Sequence, residues 1–206
     1  MKRRGTYYAF TLLETLIVLT MIAILVSILL PVFARAREKE RQVVCVSNLK
    51  QIGAAVAMYR VDYDNLYPYA ADPLTQKYQP GLWQSADFSA IYSSLPTIPT
   101  VLQPYIRNRE IFRCPSDHGG KVIGHKLLLP TEYGILGTSY DFAEGVGLLG
   151  VTDEDTEPTT DYYATDSASD WHTYPDADFF DLRGNTLYLD GHVKFTHFDR
   201  TMSWAE

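Results

Sequence analysis

The longest pattern along this chain is an unbroken apolar run. Residues 10–34 read FTLLETLIVLTMIAILVSILLPVFA, with Glu14 as their single charged residue. At about 1.5 Å per residue, these 25 positions make a helix about 37 Å long, against a bilayer core of about 30 Å. A lone carboxylate in such a segment costs roughly 2.5–3.5 kcal/mol at the bilayer centre and less near its surface. Glu14 therefore needs a shallow position or a cationic partner. Beyond the charged stretch 35–41 the pattern changes. Cys45, Leu49, Ile52, Val56 and Tyr59 recur at spacings of 4, 3, 4 and 3, which is one apolar stripe on an amphipathic helix. The two patterns predict a single helix from about Phe10 to about Val61. Its first half suits a membrane or a filament core, and its second half packs under a head. Pro31 lies inside it, removes one backbone hydrogen bond and should kink or loosen it. Asp62, Asp64 and Asn65 end it.

The remaining patterns are shorter. Residues 68–98, rich in Pro, Gly, Ser, Tyr and Ala, read as an extended loop with one or two turns. Residues 99–108 form a short helix limited by Pro104. Residues 121–129 and 138–142 have strand composition, and 145–150 form a glycine-rich turn. Near the C-terminus, 185–189 and 192–195 flank Asp190-Gly191, the signal of a tight type I′ hairpin. The expected fold class is α+β, a long N-terminal α-helix whose first half spans a membrane, packed against a small antiparallel β-sheet head. The expected division is a leader at 1–9, a transmembrane or filament-core helix at 10–34, the amphipathic half of that helix at 35–61, and an extracytoplasmic head at 62–206 with its C-terminal hairpin at 185–197.

Charge is divided unevenly over the 206 residues. Residues 1–60 hold nine Lys and Arg against three Asp and Glu, net +6; the rest holds nine against 22, net −13. So acidic a head argues against nucleic acid as a required partner, because phosphate contacts need clustered Lys and Arg. Cation binding stays open. Two cysteines, Cys45 and Cys114, cannot complete a four-ligand zinc site. They form either one disulfide or two separate buried thiols. Residues 151–181 carry ten acids and no Lys or Arg. They read as a solvated acidic loop. The sharper alternative is a calcium site, since Ca²⁺ takes six to eight oxygen ligands; Asp153, Asp155, Asp166 and Asp170 are its candidate ligands. His172, Asp190 and His192 make a weaker transition-metal set. No nucleophile–base–orienter set, Gly-x-Ser-x-Gly, His-Glu-x-x-His or phosphate loop occurs. The chain is not expected to be an enzyme.

A basic leader, MKRRGTYYA, precedes the apolar run. Leader and run together admit a secretory signal cut after Ala34-Arg35-Ala36, or a plain signal anchor. Against the first, the helical pattern continues past residue 36. Ala9-Phe10-Thr11-Leu12-Leu13-Glu14 instead resembles the processing site of type IV prepilins and type II secretion pseudopilins. That resemblance implies cleavage between Ala9 and Phe10 by a prepilin peptidase and N-methylation of Phe10. It also implies a glutamate where Glu14 stands and a helix proline where Pro31 stands. The family usually has Gly before the cut, where this chain has Ala9. The stretch from Cys45 through Asn48-Leu49 to Tyr67-Pro68, residues 111–117, and the ending Asn185 to Phe195 resemble a bacterial subgroup of pilin-like proteins.

The resemblance implies a structural subunit of a type IV pilus-like filament or secretion pseudopilus, polymerising with itself or with related subunits. Its further partners are the peptidase, the inner-membrane assembly platform and the membrane. Its place is the inner (cytoplasmic) membrane as a single-pass protein with the head extracytoplasmic, then a filament in the periplasm or at the cell surface. Major pseudopilins bind calcium in a C-terminal loop, which adds to the calcium reading. Cleavage would free a cationic amine at Phe10, and that amine could pair with Glu14 of a neighbouring subunit, relieving two buried charges together. The alternative is a membrane-anchored extracytoplasmic binding domain that does not polymerise.

Overall fold

The computed structural model describes residues 11–78, 91–117, 131–152, 154–166 and 183–197. Helix α1 runs unbroken from Leu12 to Asp62, 51 residues with Pro31 inside. It starts and stops within two residues of the expected limits. Positive φ at Asp64 and Asn65 closes its end, residue types that tolerate the left-handed region. The chain divides into two compact units, 1–39 and 40–206. Within the second, α1 buries Cys45, Leu49, Ile52, Val56 and Tyr59, joined by Asn48 and Ala55. The 4-3-4-3 stripe is thus the face on which the head's core is laid.

Four strands build the sheet, β1 (Tyr140–Phe142), β2 (Tyr162–Asp166), β3 (Arg183–Tyr188) and β4 (Val193–His197). They lie in chain order, each antiparallel to the next. The fold is α+β, as expected. Leu187 of β3 and Tyr163 and Ala164 of β2 face the core with Phe112 and Phe142. Gly53 lets α1 approach the hairpin closely: a Cβ there would stand 3.0 Å from Leu187 Cδ1 and 3.7 Å from Gly191 Cα.

Several local expectations change. Residues 162–166, read as part of a solvated acidic loop, form a central strand; Tyr162, Tyr163 and Thr165 are strand formers. The 145–150 turn is mostly helix, Glu144–Leu148 (α3). Gly147 answers a close approach, because a Cβ there would stand 2.0 Å from the Pro68 carbonyl oxygen. The 68–98 loop contains helix α2, Pro73–Tyr78, and a helical turn at 91–94. The helix expected at 99–108 is a short α-turn at Ile98–Val101 and a 3-10 turn at Gln103–Tyr105, with Pro104 inside the second. The hairpin is not type I′. Tyr188 N–H donates to the His192 carbonyl and Gly191 N–H to that of Tyr188, both at 2.9 Å. Only Gly191 has positive φ, +87°. That is a three-residue loop with glycine at the left-handed position. The strand expected at 121–129 lies outside the described residues.

Candidate functional site

The first candidate is the apolar half of α1. Its large side chains from Leu12 to Phe33 are exposed. It is the one helix among the described residues long and apolar enough to cross a membrane. Five side chains between Thr11 and Ala34 are polar, and each is hydrogen-bonded inside the helix. Thr15 Oγ1 donates to the Leu12 carbonyl at 2.8 Å, Thr20 Oγ1 to Ile17 at 2.8 Å and Ser27 Oγ to Ile24 at 2.7 Å. Thr11 N–H and Oγ1 donate to Glu14 Oε2 at 2.9 and 2.8 Å, and Glu14 N–H returns a bond to Thr11 Oγ1 at 3.3 Å. This is a reciprocal capping box, which satisfies donors of the first turn that have no partner in the helix ladder. The polar side chains of this segment are thus satisfied within it, which is what hydrocarbon demands. Pro31 instead breaks the backbone ladder. It has no N–H, so the helical bond to the Ser27 carbonyl is absent. Ala9 and Phe10 lie outside the described residues.

The second candidate is the polar interior of the head. Cys45 and Cys114 are joined in a disulfide, with both sulfurs fully buried. The bridge ties α1 to the loop after the 3-10 turn Arg109–Phe112. Beside it, Asn48 Nδ2 donates to the Arg113 carbonyl at 2.8 Å. Asp166, at the end of β2, accepts from Asn185 N–H at 2.7 Å and Asn185 Nδ2 at 2.9 Å. Burial disfavours its charged form and pushes its carboxyl up to about 7, against the pull of those two donors.

A second buried acid group lies between α2, β1 and α3. Asp72 accepts from Thr75 N–H at 2.9 Å and Phe142 N–H at 3.2 Å. Glu144 accepts from Asp72 N–H at 2.5 Å and from the Tyr92 hydroxyl. Burial, then the Asp141 charge, raises the Asp72 carboxyl well above the usual range. Asp117 plays a similar role nearby, accepting from Ser139 Oγ at 2.7 Å and Tyr133 N–H at 2.9 Å. Sequence reading missed these acids because burial, not spacing, defines them.

Two of the four calcium candidates, Asp155 and Asp166, lie among the described residues. Asp155 is exposed, and its carboxylate takes Thr152 N–H at 3.1 Å and Thr152 Oγ1 at 2.8 Å. Asp166 is buried in the sheet. Asp153 and Asp170 lie outside the described residues. Among the described residues, one set of three potential metal ligands has its ligand atoms within 4.8 Å of one another: Cys45, Cys114 and Asp166. Its two sulfurs are committed to the disulfide, and it lacks the oxygen-rich shell of calcium. Asp190 serves the hairpin, its Oδ1 taking His192 N–H at 2.9 Å and standing 2.6 Å from His192 Nδ1. His172 lies outside the described residues.

One family model matches the chain over residues 34–185, under the description "Protein of unknown function (DUF1559)", SBP_bac_10. That family is associated with pilin-like proteins. No curated protein and no solved structure matches the chain.

Proposed function

Because the chain belongs to the DUF1559 family, and carries an N-terminal apolar helix with a pilin-like layout, we propose that it is a structural subunit of a type IV pilus-like filament or secretion pseudopilus. A prepilin peptidase removes residues 1–9 and methylates Phe10. Residues 10–34 anchor the precursor in the inner membrane, with the head outside the cytoplasm. On assembly the same segment becomes the core of the polymer. The role is mechanical rather than catalytic, and the assembly platform feeds subunits into a heterologous contact that does not close. The observation that supports this most is the division of α1: an exposed apolar half carrying one carboxylate, continuous with a half buried under the head.

Glu14 has two possible partners in this reading. In the single chain Thr11 satisfies it. In the filament, the Phe10 amine of a neighbour offers a cation that Thr11 cannot. Electron microscopy of sheared surface material, with mass spectrometry of the subunit's N-terminus, tests the proposal. Filaments whose subunit begins at N-methyl-Phe10 are expected. A monomer retaining Met1 refutes it.

The capping box also favours a second reading, a membrane-anchored head that never polymerises. A Glu14 already bonded to its own helix needs no neighbour. Cysteine cross-linking along residues 16–30 in intact membranes separates the two, since a filament yields ladders of linked subunits and an anchor yields none.

A further inference from the structure

The disulfide is not packed against apolar groups alone. Cys45 comes from α1, Cys114 from the loop at 113–117 and Asp166 from the end of β2. The two sulfurs and a carboxylate oxygen lie within 4.8 Å of one another, all three residues buried. Asn185 holds that carboxylate through two donated bonds, and Gln42 Nε2 of α1 reaches Asn185 Oδ1 at 3.5 Å. A finished covalent cross-link has no need of a carboxyl beside it, and burying one is costly. Making the cross-link is different. A thiol must lose its proton before its sulfur can attack, and burial in apolar surroundings opposes that loss.

We propose that Asp166 is the proton acceptor for closure of the Cys45–Cys114 bridge within the folded head. The oxidant is a disulfide donor, R–S–S–R. One cysteine first exchanges with it, forming a protein–S–S–R mixed disulfide and releasing one R–SH. The second cysteine then passes its proton to the Asp166 carboxylate. Its thiolate attacks the protein sulfur of the mixed disulfide; the Cys45–Cys114 bond forms and the S–R bond breaks. The departing thiolate takes the proton, directly or through solvent, and leaves as the second R–SH. Two thiols lose two electrons, the donor gains them, and Asp166 ends ionised as it began.

The surroundings suit a proton exchanged near neutral pH. Tyr140 of β1 is a titratable side chain that interacts with the Asp166 charge, and burial raises its hydroxyl far above neutrality. Asp117 lies within electrostatic reach of Tyr140. Beyond its cysteine, α1 presents the uncharged Gln42 and Asn48. β3 presents Asn185. A carboxyl pushed up to about 7 accepts a proton at ambient pH better than an ordinary Asp.

The full chain in detergent micelles, reduced and then given glutathione disulfide, provides the test. Acid quenching, alkylation and mass spectrometry follow conversion of mixed disulfide to bridge. Asp166→Asn keeps an oxygen for the Asn185 donors. It is expected to slow this step at pH 7 about 100-fold or more, within the range for general base catalysis. In urea the two proteins should close at equal rates. Equal rates in the folded state, or a difference that persists in urea, overturn the proposal. Should the variant fail to fold, the wild-type pH profile decides. A rate that levels off near pH 7 supports Asp166, and one that keeps climbing into the thiol range above pH 8 refutes it.

Discussion

Cutting the Cys45–Cys114 bridge should cost the head a large part of its stability. The bridged residues are 69 apart in sequence. In the chain-entropy picture a closed loop of about 70 residues lowers the entropy of the unfolded ensemble by about 15 cal/mol/K, or about 4 kcal/mol at 25 °C. For a domain of about 150 residues, each kcal/mol moves the melting temperature by about 2–4 °C. Reduction should therefore lower the melting temperature by about 10–15 °C. Reduction is the cleanest perturbation because both sulfurs stay in their buried places. The double variant Cys45→Ala/Cys114→Ala should fall further, since it also removes two buried sulfur atoms. Near-UV circular dichroism of the micelle-solubilised chain, with and without phosphine reductant, reads the shift. Oxidised and reduced melts within 3 °C of each other would mean that the loop is already closed in the unfolded ensemble, and the entropic argument would fail.

Thr11→Val removes the hydroxyl and one half of the capping box. About 1 kcal/mol of first-turn stability should be lost, and hydrogen exchange at the amides of Leu13 and Glu14 in micelles should quicken about 5-fold; unchanged exchange would show that the box caps nothing. Gly147→Ala places a methyl carbon where the Pro68 carbonyl oxygen stands 2.0 Å away, so α3 or the 67–68 segment must move, at about 1–3 kcal/mol; a melting temperature equal to wild type refutes this. Asp166 is more readily protonated in the folded state than in the unfolded one. The native state then holds more protons between pH 4 and 7, so stability falls as pH rises through that window, by up to about 1.4 kcal/mol per unit. Asp72 adds to the slope in the same direction. Melts at pH 5 should exceed those at pH 7.5, Asp166→Asn should flatten the difference, and a wild-type optimum near pH 7.5 would contradict the assignment.

The helix was legible in the sequence because its two halves carry unmistakable patterns. An apolar run without breaks and a 4-3-4-3 stripe need no tertiary information, and the stripe residues are those that α1 buries. The capping box was legible too: Thr11 stands three residues before Glu14. The weight of an unpaired charge in lipid drew attention outward, to a neighbour, rather than to that local partner. Strand β2 was hidden by its surroundings, since Tyr162 to Thr165 sit among ten acids that read as solvated. Asp166 could not be told from Asp155 by composition. One ends a buried strand and the other caps a turn, and only packing separates them. Asp190-Gly191 marked a turn correctly but not its size, because the same pair serves two- and three-residue loops, and the pairing of Tyr188 with His192 decides between them.

Cys45 is the first buried residue along α1, and this position has a mechanical consequence. Tension applied to the apolar half of the helix passes the polar contact of Gln42 with Asn185 and reaches the head's buried core first at that residue. A contact made only of side chains at such a spot would open one pair at a time, like a zipper, at low force. A covalent bond there forbids that mode. Leu49, Ile52, Val56 and Tyr59 lie behind it and can separate from the sheet only together, by sliding along their length. The head is thus fastened at the point where peeling would begin, and a pull on the anchor is shared over the whole interface.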